Sequence, residues 1–108
     1  MKNYRKRIAD DILMRKLEGK GAVLIEGPKW CGKTTTAEQL AASILYMDDP
    51  EKKAQNITMS ELNPKRLLKG ATPRLIDEWQ LAPKLWDAIR FEVDHRGELG
   101  QFLLTGSA

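Results

Sequence analysis

Gly27-Pro28-Lys29-Trp30-Cys31-Gly32-Lys33-Thr34 is the stretch on which the reading of this chain turns. It fits the pattern G-x-x-x-x-G-K-[ST] in full. At this composition such a match arises by accident with a probability of roughly 0.005, too rarely to be set aside. Glycines at those positions let the backbone curl so that successive N–H groups point inward at phosphate oxygens. A helix beginning where the loop ends adds its partial positive charge at the same place. Lys33 then supplies a full charge for β- and γ-phosphates, and Thr34 a hydroxyl for Mg²⁺.

The flanks fit the loop. Ala22-Val23-Leu24-Ile25 is a short unbroken apolar run between glycines, the pattern of a strand buried on both faces of a parallel sheet. Residues 34–43 read as a helix, Ile44 to Met47 as a second strand stopping at Asp48-Asp49-Pro50, and Leu75-Ile76-Asp77 as a third. The polar stretch 51–70 predicts one short helix, from Ser60-Glu61 to Leu68. Over 83–96, Leu85, Trp86, Ile89 and Val93 recur at the 3–4 spacing of a helix. Gly97 and Gly100 bracket the turn into a fourth strand, Gln101 to Thr105. Ahead of everything, residues 7–18 predict an amphipathic helix carrying Ile8, Ile12, Leu13 and Leu17, with acids near its start and bases near its end as the dipole favours. Alternating helices and strands predict an α/β fold with a parallel sheet covered on both faces.

An acid on a neighbouring strand is the second requirement of such a site, and Asp77 at a strand end is the candidate metal residue. Glu78 follows it directly, where a carboxylate can accept a proton from an attacking water. That order of residues favours hydrolysis over transfer to a second substrate. The bland reading, a polar strand end entering a loop, loses weight once the Lys33 loop is present.

Composition limits the rest. One hundred and eight residues hold a single core, and 18 Lys and Arg against 15 Asp and Glu give a net charge of +3, short of the basic stripe of a dedicated nucleic-acid binder. The longest mostly apolar stretch, Leu40 to Met47, is far below the ~20 residues that span a bilayer. No export signal is read after the basic start, where Asp10 and Asp11 replace the apolar region. A lone Cys31 suits a reducing compartment, so a cytoplasmic protein without membrane contact is expected.

Gly27 to Thr34, Arg74-Leu75-Ile76-Asp77-Glu78-Trp79 and Leu103-Leu104-Thr105-Gly106-Ser107-Ala108 together resemble the Walker A, Walker B and sensor-1 segments of bacterial and archaeal predicted ATPases of the AAA superfamily. In that family an N-terminal AAA-type domain is commonly followed by a C-terminal domain of unknown function. The resemblance covers the chain from Tyr4 onward. It implies a three-layer P-loop NTPase fold that binds ATP and Mg²⁺, with Gly27, Lys29, Trp30, Cys31, Gly32, Lys33, Thr34 and Thr35 around the nucleotide. It further implies Thr34 and Asp77 on the metal, Glu78 as catalytic base, and Thr105 as the polar residue placing water and γ-phosphate, with Ser107 a weaker candidate for that last task. The usual strand order 5-1-4-3-2 would leave 1-4-3-2 here, an incomplete AAA module: residues 1–21 form a leading helix and basic arm, and 22–108 the P-loop core. A fifth strand, an arginine finger and a lid do not follow Ala108. The expectation is therefore an N-terminal fragment that binds nucleotide weakly and turns it over little, since an arginine finger contributes roughly 10³ to 10⁵ where one is used. Without strand 5, the strand at 22–25 becomes an apolar edge inviting self-association. Static light scattering at high concentration checks this: oligomers are expected, and a monodisperse monomer refutes it.

Three features are weighed against plainer readings. Cys31 could gain thiolate character beside Lys33, but a variable loop position explains it as well. Trp30 could stack on adenine or cover neighbouring apolar surface; Trp79 and Trp86 are expected to pack. The arm from Lys2 to Arg7 could touch DNA phosphates, although a solvated arm accounts for it, and His95 is expected to be solvated. Asp48 and Asp49 either tune the metal, couple to a partner or form the turn before Pro50. Two rival functions remain: a small-molecule P-loop kinase, which would release no phosphate without an acceptor, and a nucleotide-dependent interaction or DNA-binding module without hydrolysis.

Overall fold

Why each strand pairs where it does follows from its alternation of buried side chains. The computed structural model describes residues 21–27 and 33–107. The helix expected over 7–18, the basic arm, and Lys29, Trp30, Cys31 and Gly32 of the loop lie outside the described residues. Chain order runs β1 (Ala22–Gly27), α1 (Lys33–Leu40), β2 (Ser43–Tyr46), α2 (Lys53–Leu62), α3 (Pro64–Leu67), β3 (Arg74–Asp77), a 3₁₀ turn (Trp79–Leu81), α4 (Lys84–Arg96) and β4 (Phe102–Ser107).

The strands form one four-stranded sheet in the order β1-β4-β3-β2, every pairing parallel. This is the α/β arrangement that the sequence predicts and the 1-4-3-2 order that the resemblance implies. Successive side chains on a strand point to opposite faces, and the core divides accordingly. Phe102 and Leu104 of β4 and Ile76 of β3 join Met47, Leu68, Leu85 and Ile89 on the face that α4 covers. Leu103 and Leu75 join Val23 and Ala37 of α1 on the other face. One residue of register slip would exchange these sets, so burial on both faces fixes the pairing.

Several boundaries differ from the sequence reading. The helix expected over 34–43 ends at Leu40, and β2 begins at Ser43 because Ser43 already pairs with Arg74. Strand pairing there outweighs the helix preference of Ala41 and Ala42. The stretch 51–70 carries not one helix over 60–68 but two, α2 and α3, separated at Asn63. Pro64 stands at the start of α3, where its fixed φ and missing N–H cost least. Asn56 and Ser60 are the buried residues of α2, and Ser60 Oγ donates to the Ile57 carbonyl at 2.6 Å. β1 and β4 both run past the expected ends, β1 to Gly27 and β4 to Ser107.

α4 ends where Gly97 takes a left-handed φ of 64° and its N–H donates to the Val93 carbonyl, the reason a glycine serves there. On α4, Leu85, Ile89 and Glu92 are buried, whereas Trp86 is 37% exposed. The Glu92 carboxylate is held by Arg96 at 3.1 Å and by Lys65 at 3.8 Å. His95 is exposed as expected, but its ring stacks on Phe91 with centroids 3.9 Å apart. Arg74 is partly buried, and burial lowers its pKa. Its guanidinium donates to the Leu67 carbonyl and Ser43 Oγ, joining the end of α3 to the start of β2. No helix among the described residues is long and apolar enough to cross a membrane.

Candidate functional site

Parallel strands bring their carboxyl ends to one rim, and loops leaving that rim are where α/β sheets place ligands. The register makes the rim explicit. Gly27 lies beside Ser107, Ile25 beside Thr105, Thr105 beside Asp77, and Asp77 beside Tyr46. β1 ends at Gly27 and α1 begins at Lys33. Lys33, Thr34 and Thr35 therefore form the first turn of α1, whose backbone N–H groups have no partner within the helix.

Asp77 closes β3 and is 8% exposed; Thr105, on the neighbouring strand, is fully buried. Thr105 Oγ1 donates to Asp77 Oδ1 at 2.6 Å, a charge-assisted bond that orients the carboxylate and occupies the hydroxyl proton. Glu78 follows with φ 57° and ψ 48°, the left-handed region. Among the described residues it is the one non-glycine with positive φ. Such a conformation costs about 1 kcal/mol or more and persists only where the surroundings enforce it. Here it turns the chain from β3 into the 3₁₀ turn, and Glu78 remains only 6% exposed.

Asp48, just past β2, completes the acidic group. Asp48, Asp77 and Glu78 each offer a carboxylate oxygen, and these atoms lie within 4.8 Å of one another. Three like charges so close repel unless a cation or proton intervenes. An all-oxygen donor set of this kind suits a hard divalent ion such as Mg²⁺. The two residues of the pair Asp48-Asp49 are placed differently. Asp49 Oδ1 accepts the Glu51 N–H at 3.0 Å, the local turn, and Asp48 faces the site.

Tyr46 ends β2 on the same rim. Its hydroxyl donates to Glu38 of α1. That bond, followed by burial and the charges of Glu38 and Asp77, pushes the phenol up to about 12. Sequence reading had not singled out Tyr46, and its hydroxyl gave no motif by which to find it. Trp79 and Trp86 pack as expected, rings tilted by 37° with centroids 5.1 Å apart. A separate groove of about 410 Å³ lies between β1 and α4, lined by Gly21, Leu24, Trp86 and Ile89 among others. It includes the amino end of β1, away from the acids.

Comparison with known proteins adds one match. The family model described as "AAA domain" matches residues 19–108. No curated protein and no solved structure matches the chain.

Proposed function

Since the chain belongs to the AAA domain family, which carries a nucleotide-binding, ATPase-like function, we propose that it binds ATP and hydrolyses it with Mg²⁺, water being the nucleophile. The observation that carries this reading is the joint placement of Asp77, Glu78 and Asp48 on the rim where β1 leads through Gly27 towards α1. Loop amides from Gly27, Lys29, Trp30, Cys31 and Gly32, with those of Lys33, Thr34 and Thr35, hold the phosphates. Lys33 neutralises their charge. Thr34 and Asp77 would hold Mg²⁺, which supplies positive charge to the phosphate oxygens. Glu78 accepts the proton of the attacking water. As the new P–O bond forms at the γ-phosphorus, the bond to the bridging oxygen breaks and ADP leaves with the electron pair. Thr105 contributes through Asp77, because its proton is already donated to that carboxylate.

The test begins with binding. A ligand that binds only the folded state at a hundred times its Kd adds about 2.7 kcal/mol of stability. Mg²⁺-ATP is therefore expected to raise the melting temperature of the wild-type chain by several degrees and to leave Lys33→Ala unmoved, measured by differential scanning fluorimetry. An equal rise in both proteins would remove Lys33 from the phosphate site. Phosphate release without any acceptor then separates hydrolysis from kinase chemistry. Stabilisation without release would instead indicate a nucleotide-ordered binding module.

A further inference from the structure

Gln80 is a residue that neither the motifs nor the function above uses, although it touches the centre of the site. Its Nε2 donates to Glu78 Oε1 at 2.5 Å. The contact spans only two residues and exists because Glu78 is left-handed and the 3₁₀ turn follows at once. In an extended strand, side chains two apart share a face without curling back on one another. Gln80 is exposed, whereas Glu78 is buried, so a solvent-side amide grips a carboxylate set among other acids.

The other end of the same amide lies close to the neighbouring strand. A Cβ built on Gly106 of β4 would stand 2.5 Å from Gln80 Oε1 and 3.2 Å from Trp79 Nε1. Gln80 thus rests against bare backbone, in space that any side chain at position 106 would take. Gly106 directly follows Thr105, which holds Asp77. The end of β4 therefore holds Asp77 through the Thr105 hydroxyl and lies against the amide that binds Glu78.

We infer that Gln80 is a positioning residue that aims the Glu78 carboxylate at the attacking water, and that Gly106 is glycine to leave room for its amide. This rests on the hydrolytic reading above. A hydrogen bond to one carboxylate oxygen restrains the rotation of the carboxyl group and so sets the direction in which the carboxylate points. Misplacing a catalytic group by about 1 Å costs on the order of 10²-fold in rate, so losing one of several restraints should cost less.

The experiment is a double-mutant cycle in single-turnover ATP hydrolysis with enzyme in excess, run with radiolabelled ATP on the whole chain. Gln80→Ala is expected to lower the rate about tenfold with the ATP concentration for half-maximal rate unchanged. Gly106→Ala should give a similar loss by displacing the amide. Joined in one chain, the two should cost no more than either alone, because they break the same contact. A second readout does not depend on turnover: the side-chain ¹⁵N amide resonance of Gln80 should move in both Glu78→Gln and Gly106→Ala. Wild-type rates in Gln80→Ala, with Glu78→Gln inactive, would overturn the role of Gln80 and leave the hydrolytic reading intact. Additive losses in the cycle would overturn the link through Gly106. Turnover that survives Glu78→Gln would remove Glu78 as the proton acceptor and overturn this inference while leaving hydrolysis in place; the hydrolytic reading itself falls if the wild-type chain binds ATP and releases no phosphate.

Discussion

Glu78→Gln lowers phosphate release from ATP by roughly 10²- to 10⁴-fold, the range that a general base contributes, while the rise in melting temperature with Mg²⁺-ATP is retained. The substitution is chosen for what it leaves alone. A glutamine carbonyl can accept the Gln80 amide as the carboxylate does, and it meets the left-handed backbone at position 78 with a side chain of the same shape. Only basicity and charge are lost. A malachite-green assay beside the thermal scan reads both quantities. If turnover persisted in a variant that still binds ATP, the proton would have another acceptor, and Asp48 would be the next to test.

Phe102→Ala should be the most damaging change to the fold, costing about 3–5 kcal/mol as truncations of a buried phenylalanine do. Phe102 opens β4, the strand between β1 and β3, and is fully buried. Its ring also lies 5.0 Å beneath the Arg96 guanidinium, which in turn binds Glu92 and the Gln101 amide oxygen. Truncation therefore opens a cavity and removes the aromatic face from a half-buried cation. At about 4–8 °C per kcal/mol for a domain of 60–100 residues, the melting point should fall by tens of degrees, or folding should fail outright. Phe102→Leu, which keeps most of the volume, should recover much of that loss in urea unfolding. If Phe102→Ala melted within a few degrees of wild type, the assignment of β4 as the central strand would be in error.

How far the sequence could be read depended on whether burial and apolarity coincided. β3 and β4 are apolar runs buried on both faces, so Leu75, Ile76, Leu103 and Leu104 marked them; β1, expected to be buried on both faces, lies at one end of the sheet order with Val23 buried and Leu24 37% exposed. α2 was missed because its buried residues are Asn56 and Ser60; a search for apolar periodicity sees nothing there. Lys52, which precedes it, makes no capping bond, so the usual start signal was also missing. At the site, Asp77, Glu78 and Thr105 were legible from motif and strand end. Asp48 could not be separated from Asp49, since only the bond from Glu51 to Asp49 shows which aspartate forms the turn. Gln80 was invisible for a related reason: its contact depends on the backbone conformation of Glu78, which no spacing rule specifies.

The sheet order has a consequence for how this chain is made. β4 is the last of the four strands to leave the ribosome, yet it is the one that joins β1 to β3. Synthesis runs from the amino end, so Ala22 waits for its register partner Phe102 until nearly every other described residue has emerged. During that interval the apolar run of β1 and the inner faces of β2 and β3 have no completed sheet to enter. Pairing over such sequence separation is slow, and waiting strands are exposed to aggregation. Nascent chains stalled before Phe102 should thus be readier clients for chaperones than those in which β4 has emerged.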